Sequence, residues 1–143
     1  MDLRQPLYTR SPEETEQVAA ALAATLTGTE RILLVGDLGS GKTTFVRGLV
    51  RGLGGDPRQV ASPTFVLVHI YVTPRTTVYH MDLYRLDTAA DLESAGVLEL
   101  LEEADLAVIE WAERLPVVPV NSLWVELHIL GDTERRIRIR KAE

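Results

Sequence analysis

The chain has 143 residues, no cysteine and a formal net charge of -6 at pH 7. This length can enclose one hydrophobic core, so residues 1–143 are predicted to form a single domain. The lack of cysteine excludes disulfides, thiol catalysis and cysteine-ligated zinc, and the acidic balance gives no basic footprint for autonomous binding of nucleic acid.

The N-terminal region predicts a helix and no targeting segment. Ser11 is a suitable N-cap, Pro12 suits the first helical position, and Glu14 would complete a capping box. The spacing of apolar residues continues this helix to about residue 26. The sequence shows neither a signal peptide nor an apolar run approaching the ~20 residues needed to cross a bilayer. We therefore expect a cytoplasmic protein with no membrane partner.

Residues 36–43, GDLGSGKT, match the phosphate-binding loop pattern G-x-x-x-x-G-K-[ST]. The loop lies between an apolar run at 31–35, which predicts a buried strand, and the helical spacing of 42–53. This context makes a merely connecting glycine-rich turn the weaker interpretation. We predict that a nucleoside triphosphate is bound by Gly36, Asp37, Leu38, Gly39, Ser40, Gly41, Lys42, Thr43 and Thr44.

The residue types of this loop suit distinct roles. Its glycines let the backbone approach phosphate, and its N–H groups form an anion-binding nest at a helix N-terminus. Lys42 would reach the β- and γ-phosphates, while the hydroxyl of Thr43 would coordinate Mg²⁺. Thr44 would contact a phosphate closer to the ribose.

The remainder of the chain predicts a mixed sheet. Strands at 64–72 and 76–81 flank a turn at Pro74 and would form an antiparallel hairpin. Helices at 89–94 and 97–103 are separated by Gly96, and further strands are expected at 105–109, 123–130 and 135–140. The fold class is therefore α/β, a mostly parallel mixed sheet flanked by helices with one antiparallel hairpin, as in a P-loop NTPase.

The last predicted strand alternates arginine with isoleucine. This pattern is typical of an edge strand with one solvated basic face. A contact of that basic face with nucleotide, a partner or RNA is the alternative interpretation.

Asp82 and Glu110 each follow a predicted strand, where ligands of open α/β sheets collect. Glu110 would hold Mg²⁺ directly or through water, and Asp82 would position or deprotonate the attacking water or share in the metal site. A helix cap or a surface carboxylate is the alternative for both acids. Trp111 is expected to be a wall of the site or a core residue. The neighbours that would orient Asp82, stabilise phosphate charge or simply pack are His80, Tyr84 and Arg85.

Several motifs occur in a characteristic order: GDLGSGKTTF at 36–45, SPTF at 62–65, HMDLYRL at 80–86, Leu92-Glu93 followed by Gly96, and IEW at 109–111. In order and spacing they resemble the TsaE family, formerly named YjeE. These are small bacterial ATPases required for the threonylcarbamoyl modification of tRNA adenosine next to the anticodon. The guanine-reading motif Asn/Thr-Lys-x-Asp is absent, which agrees with ATP rather than GTP.

The resemblance implies an ATP- and Mg²⁺-dependent protein that binds the transferase pair TsaB and TsaD and drives or resets that complex. Carried onto this chain, it implies that Gly39 to Thr44 bind phosphates, that Thr43 and Glu110 hold Mg²⁺, and that Asp82 is needed for hydrolysis. Direct contact with tRNA is left open. The further nucleotide contacts that the resemblance implies are Ser62 and Thr64 in a nucleotide-sensing loop, and Ser11 and Arg136 near the base.

Two other functions fit the same loop. The chain would act as a nucleotide-gated binding module with little catalysis, or as a small-molecule kinase. Kinases of that kind usually need a lid with several arginines, whereas only Arg85 lies between Asp82 and Arg114. The sequence offers no evident arginine finger in cis, so we expect weak intrinsic hydrolysis that partner proteins stimulate.

Overall fold

The computed structural model describes residues 5–63 and 67–142. The strands within these residues are β1 (Leu7–Thr9), β2 (Arg31–Val35), β3 (Val68–Val72), β4 (Thr77–Asp82), β5 (Leu106–Glu110), β6 (Ser122–Ile129) and β7 (Arg135–Lys141). The α-helices are α1 (Pro12–Ala23), α2 (Lys42–Gly52), α3 (Ala89–Ser94) and α4 (Val97–Glu103), and short 3₁₀ helices occur at Pro57–Gln59 and Ala112–Arg114. Across the described ranges, no helix combines the length and apolar character that a membrane span requires.

The described strands form one sheet in the order β1-β7-β6-β2-β5-β4-β3. Strands β6, β2, β5 and β4 are parallel to one another, whereas β7 and β3 pair antiparallel with β6 and β4. Because β1 is antiparallel to β7, it points the same way as the central strands. The predicted fold class, a mostly parallel mixed sheet with an antiparallel hairpin, is confirmed.

The two faces of the sheet are covered by different helices. Ile32 and Leu34 of β2 pack with α1 and α2, whereas Leu33 packs with α3 and α4. This alternation follows from the two-residue period of a strand. By the same period, the side chains of Asp82 and Glu110 project from the face that carries α2. The N-terminus of α2 therefore shares one side of the sheet with both acids.

Helix α2 approaches α1 closely through two glycines. A Cβ added to Gly48 would lie 2.3 Å from the carbonyl oxygen of Glu16, and one added to Gly52 would lie 2.8 Å from backbone atoms of Ala20. No side chain fits at these distances, so the sequence lets the two backbones touch. This contact helps to fix the distance between α2 and the sheet, and therefore the position of the N-terminus of α2.

Helix α1 ends at Ala23, before the predicted end at residue 26. The chain turns there through i→i−3 bonds, and the guanidinium of Arg75 donates to the carbonyl oxygens of Ala23, at 2.8 Å, and Leu26, at 2.6 Å. A side chain from the β3–β4 turn thus satisfies the last carbonyls of the helix. At the other end Ser11 caps Glu14 N as predicted, while the Glu14 carboxylate accepts from Arg10 N instead of closing a capping box.

The prediction that the C-terminal strand lies at the sheet edge is wrong for its first half. Residues Arg135, Arg136 and Ile137 of β7 pair with β1, which the sequence analysis missed. β1 has three residues, and so short a segment carries no pattern of its own; its pairing with β7 makes it a strand. β3 begins at Val68, directly after Leu67, which has a left-handed φ of 68°. The predicted start of this strand, at residues 64–66, lies outside the described residues.

Candidate nucleotide-binding site

The loop between β2 and α2 requires glycine for two different reasons. Gly39 and Gly41 have φ values of 79° and 102°, in the left-handed region where side chains are strained. At Gly36 an added Cβ would lie 2.5 Å from Ser40 Oγ and 2.8 Å from the carbonyl oxygen of Leu127. The loop is therefore held by its own turns and by contact with β6.

A cavity of about 190 Å³ opens above this loop. It brings together residues that are far apart in the sequence but that the sequence analysis had selected as a site. Its walls are formed by Leu38, Gly39, Ser40, Gly41, Lys42, Thr43, Thr44, Ser62, Asp82, Glu110 and Trp111.

The hydroxyl of Ser40 is buried and has no hydrogen-bond partner within the described residues. Buried polar atoms are normally paired, so an unpaired hydroxyl in a loop of N–H groups is suited to an oxygen-rich ligand. The residues present thus fit a bound phosphate group.

Lys42 points back across the loop. Its Nζ donates to the carbonyl oxygen of Gly36 at 2.6 Å and lies 3.8 Å from the ring centroid of Trp111. Burial lowers the pKa of Lys42, while attraction to Glu110 and other nearby acids opposes that shift. The ammonium is therefore held between an aromatic ring and a carbonyl, and a phosphate would be a stronger partner than either. Trp111 lines the cavity, which agrees with the prediction that it is a wall of the site.

Asp82 and Glu110 are register partners at the ends of β4 and β5. They are 4% and 3% exposed. The N–H of Leu83 donates to the carbonyl oxygen of Glu110 at 3.1 Å, and the N–H of Tyr84 donates to the Asp82 carboxylate at 2.8 Å. The backbone just beyond the strands thus holds the acids side by side, opposite the Lys42 ammonium.

Glu110 is also held by a buried histidine. His80 Nε2 lies 2.5 Å from Glu110 Oε2, and His80 Nδ1 lies 2.9 Å from the hydroxyl of Tyr71. His80 is fully buried and Tyr71 is 3% exposed. Tyr71 in turn contacts the backbone of Ala61, the residue before Ser62.

With this geometry established, comparisons with known proteins identify the family. A family model described as threonylcarbamoyl adenosine biosynthesis protein TsaE matches residues 9–138. The chain belongs to the TsaE family. The chain is similar to the tRNA threonylcarbamoyladenosine biosynthesis protein TsaE of Rickettsia bellii. The two are 41% identical over 130 residues, which cover 90% of each chain.

Other TsaE proteins and one solved structure agree with this assignment. The TsaE protein of Aquifex aeolicus is 39% identical over 140 residues, which cover 97% of this chain and 98% of that protein. The TsaE protein of Bacillus subtilis is 37% identical over 130 residues, which cover 90% of this chain and 80% of that protein. The crystal structure of Bacillus subtilis YdiB superposes with a TM-score of 0.72 at 32% identity, covering 96% of this chain and 84% of that one. The resemblance seen in the motifs is therefore confirmed.

Two residues that the TsaE resemblance places near the base lie outside the cavity. Ser11 caps α1, where its side chain accepts the N–H of Glu14. Arg136 lines a second cavity of about 370 Å³, with Tyr8, His128 and others. Their nucleotide contacts stay predictions. Thr64 lies outside the described residues.

Sequence reasoning missed Arg135. Its Nε donates to the carbonyl oxygen of Ser40 at 3.0 Å and its Nη2 to that of Gly39 at 2.9 Å. It therefore ties β7 to the phosphate-binding loop, one residue away from the predicted Arg136. No sequence pattern distinguishes it among neighbouring arginines, since the contact depends on where β7 lies. Tyr71 was missed for the same reason, although its two-residue spacing from His69 places both on one strand face.

Proposed function

We propose that this chain is an ATPase of tRNA threonylcarbamoyladenosine biosynthesis, which binds ATP with Mg²⁺ and hydrolyses it. One observation carries the proposal: the phosphate-binding loop and two buried strand-end acids, Asp82 and Glu110, line the same cavity. A loop that only connected a strand to a helix would not need acids opposite its lysine.

Phosphate binding follows from the loop geometry. The left-handed Gly39 and Gly41 wind the loop around the N-terminus of α2, where the first backbone N–H groups of a helix are suited to bind an anion. Lys42 exchanges the Gly36 carbonyl for β- and γ-phosphate oxygens, and the buried Ser40 hydroxyl gains a partner. Lys42 would thus exchange a neutral carbonyl acceptor for an anionic one, and Ser40 would gain a hydrogen bond that it lacks.

The acids supply the remaining functions. Thr43 and Glu110 would hold Mg²⁺, which when bound would neutralise charge on the transferring phosphoryl group. Asp82, adjacent to Glu110, orients a water toward the γ-phosphorus and accepts its proton. The new P–O bond to this water forms as the bond to the ADP oxygen breaks, which leaves ADP and inorganic phosphate.

Intrinsic hydrolysis is expected to be slow. Arg114 donates to the carbonyl oxygen of Tyr84 and to the carboxylate of Asp87, both at 2.7–2.8 Å, and Arg135 is held by the loop carbonyls. The guanidinium groups of both arginines are thus already engaged by other contacts of this chain. A group from a partner protein would complete the site, as arginine fingers do in trans in other NTPases.

The names of the family and its relatives support a role in tRNA modification, and we propose TsaB and TsaD as the partners. ATP binding or hydrolysis would then drive or reset the transferase complex between turnovers. A nucleotide-gated binding module is the second candidate, because Ser62 joins the cavity wall from a separate segment. In that case the ATP-bound conformation docks on the partner and hydrolysis acts only as a timer.

The test is ATP turnover by the purified chain with Mg²⁺, alone and with added TsaB and TsaD, followed by phosphate release. We expect ADP and phosphate as products and stimulation by the partners. Lys42→Ala should abolish nucleotide binding, whereas Asp82→Ala and Glu110→Ala should bind ATP but lose hydrolysis. Glu102→Ala, on the exposed side of α4, is the matched control and should behave like wild type.

The outcomes separate the candidates. Partner docking that requires ATP, with turnover unchanged by the partners, would favour the gated module. Transfer of the γ-phosphoryl group to a metabolite would indicate a kinase. Full hydrolysis in both the Asp82 and Glu110 variants would show that these acids are assigned wrongly.

A further inference from the structure

A continuous hydrogen-bonded chain connects the backbone near Ser62 with Glu110. The N–H of Ala61 donates to the hydroxyl of Tyr71 at 3.3 Å, and that hydroxyl lies 2.9 Å from His80 Nδ1. His80 Nε2 then reaches Glu110 Oε2 at 2.5 Å. The chain crosses three neighbouring strands, β3, β4 and β5, on the face of the sheet that carries α2.

The three side chains of this hydrogen-bonded chain are almost completely buried, so water cannot replace their contacts. His80 is 0% exposed, and Tyr71 and Glu110 are each 3% exposed. Both nitrogens of the His80 ring have protein partners, so rotation of the ring would leave buried polar groups unpaired. The orientation of the Glu110 carboxylate therefore depends on His80, and that of His80 depends on Tyr71.

One arrangement of hydrogens satisfies the whole chain. In this arrangement Glu110 is a carboxylate and His80 is the Nε2–H tautomer, which donates to Glu110 through Nε2 and accepts from the phenol of Tyr71 through Nδ1. Burial raises the pKa of Tyr71, so the phenol keeps the hydrogen that it donates. The Tyr71 oxygen accepts from Ala61 N–H. Because the single hydroxyl hydrogen of Tyr71 goes to His80, the Ala61 carbonyl oxygen, 3.2 Å from that hydroxyl, accepts instead from His69 Nδ1 at 3.1 Å. The three hydrogen bonds from Ala61 N–H through Tyr71 and His80 then all point toward Glu110 and reinforce one another.

The far end of the chain lies beside the cavity. Ala61 precedes Ser62, which lines the cavity together with Glu110. Movement of this backbone on nucleotide binding would change the support of Tyr71 and, through His80, the plane of the Glu110 carboxylate. A carboxylate that holds a metal ion must keep its orientation to within a fraction of an ångström.

We propose that Tyr71 and His80 are positioning residues, which couple the conformation of the segment at 61–63 to the orientation of Glu110. This inference rests on the proposed ATPase function. Neither residue lines the cavity, so neither is expected to contact ATP. Their effect is expected on the rate of hydrolysis rather than on nucleotide affinity.

Tyr71→Phe keeps the ring and removes the hydroxyl, and His80→Gln keeps an amide N–H that reaches toward Glu110. We expect each variant to lower kcat by about 10- to 100-fold, the range for losing the hydrogen-bond partner of a metal ligand. The KM for ATP and the affinity for a fluorescent ATP analogue should change by less than about threefold. The double variant should be no slower than the slower single variant, because both changes break one chain.

Tyr79→Phe is the matched control. Tyr79 lies on β4 next to His80, but its side chain packs on the opposite face with the α3 and α4 core. The same loss of a hydroxyl there should leave kcat unchanged. Thermal unfolding of every variant identifies any general loss of the fold. If His80→Gln does not fold, the kcat of Tyr71→Phe alone tests the proposal.

A second readout does not depend on turnover. Hydrogen exchange of the Ala61 amide should slow when Mg²⁺ and a non-hydrolysable ATP analogue bind to the wild type, and Tyr71→Phe should abolish this response. Unchanged kcat in Tyr71→Phe, additive losses in the double variant, or an unaltered exchange response would each overturn the coupling. Absence of ATP hydrolysis by the wild type, with and without partners, would instead overturn the proposed function, and the exchange measurement would then decide the coupling.

Discussion

At the scale of single residues, adjacent arginines have different surroundings. Arg135 holds the loop from behind through the carbonyl oxygens of Gly39 and Ser40, whereas Arg136 lines a separate cavity. A sequence pattern could nominate this basic strand, but it could not say which arginine touches the loop. Which arginine faces the loop depends on which alternate residues of β7 point to that side of the sheet. The pairing of β7 with β6 and β1 sets this alternation.

Arg135→Gln should weaken binding of ATP by about tenfold, because charge-assisted hydrogen bonds that shape the loop are lost. The loss should be similar for ATP, GTP and other triphosphates, since Arg135 acts through the loop and not on the base. Arg138→Gln, which changes an exposed arginine of the same strand, is the matched control. Arg136→Gln is titrated with the same nucleotides to test its predicted contact with the base. If Arg136 contacts the base, as the family resemblance implies, its variant will instead change the ratio of ATP to GTP affinity.

Glu30 shows how a buried acid can serve stability instead of catalysis. Its carboxylate accepts hydrogen bonds from the N–H groups of Thr27, Gly28 and Thr29 at 2.8–3.1 Å. Burial alone would raise the pKa of Glu30, but the hydrogen bonds from Thr27 and Gly28 outweigh it, so the pKa lies below its ordinary 4.5. The folded state thus favours the ionised form.

Glu30→Gln should lower the free energy of unfolding at pH 7 by about 1–3 kcal/mol, as expected when buried N–H groups lose a charged acceptor. The stability given by a lowered acid pKa is present above 4.5 and is lost as pH falls below that value. The difference between wild type and variant in urea unfolding should therefore shrink as the solution is acidified. A difference that grows on acidification would contradict this assignment; the exposed Glu102→Gln serves as control.

At the scale of elements, local signals predicted the bounds of α3 and α4 well. The structure has α3 and α4 at the predicted residues 89–94 and 97–103, and Gly96 between them has a left-handed φ of 73°. These boundaries are set by local chemistry, a Thr88 capping box and a glycine. The end of α1 was not predictable in this way, because Arg75 comes from the distant β3–β4 turn.

The close contact of α1 with α2 gives a test at this scale. Gly48→Ala would bring Cβ within 2.3 Å of the Glu16 carbonyl oxygen, so the helices must separate. We expect a loss of about 1–3 kcal/mol in unfolding free energy, typical of overpacking, despite the better helix propensity of alanine. Gly131→Ala is the matched control, since its added Cβ would approach only the flexible Glu134 side chain, at 3.1 Å. Equal stability of both variants in urea titration would contradict the close contact.

At the scale of the whole molecule, the site is a product of strand order. The sequence could predict that Asp82 and Glu110 end strands, but not that β4 and β5 are neighbours, with β2 next to β5. Placing the loop between β2 and α2 beside both acids needs that order, because the acids lie far from the loop in the sequence. The place of the loop between β2 and α2 could be predicted from its sequence, and seven of its nine predicted residues, 38–44, line the cavity, whereas Gly36 and Asp37 line a different one. In contrast, Arg135, Tyr71 and the partnership of His80 with Glu110 depend on the assembled sheet.

The single-domain prediction has a thermodynamic consequence. One sheet with helices packed on both faces should unfold in one transition, with equal calorimetric and van't Hoff enthalpies. ATP with Mg²⁺ at about 100 times its Kd should stabilise the fold by ~2.7 kcal/mol and raise Tm by several degrees. Lys42→Ala should unfold in the same single transition without this increase. Two resolved transitions would contradict a single domain.

The position of Lys42 over the ring of Trp111 also gives the protein an intrinsic optical probe. The ammonium lies 3.8 Å from the ring centroid, and the ring of Tyr84 packs 5.0 Å away. When phosphate draws the ammonium away, the indole loses a neighbouring charge, so its emission should change in wavelength and intensity. Trp124, on β6 beside Arg140, is the other tryptophan of the chain. A Trp124→Phe variant would therefore report nucleotide arrival in a stopped-flow instrument without any attached dye.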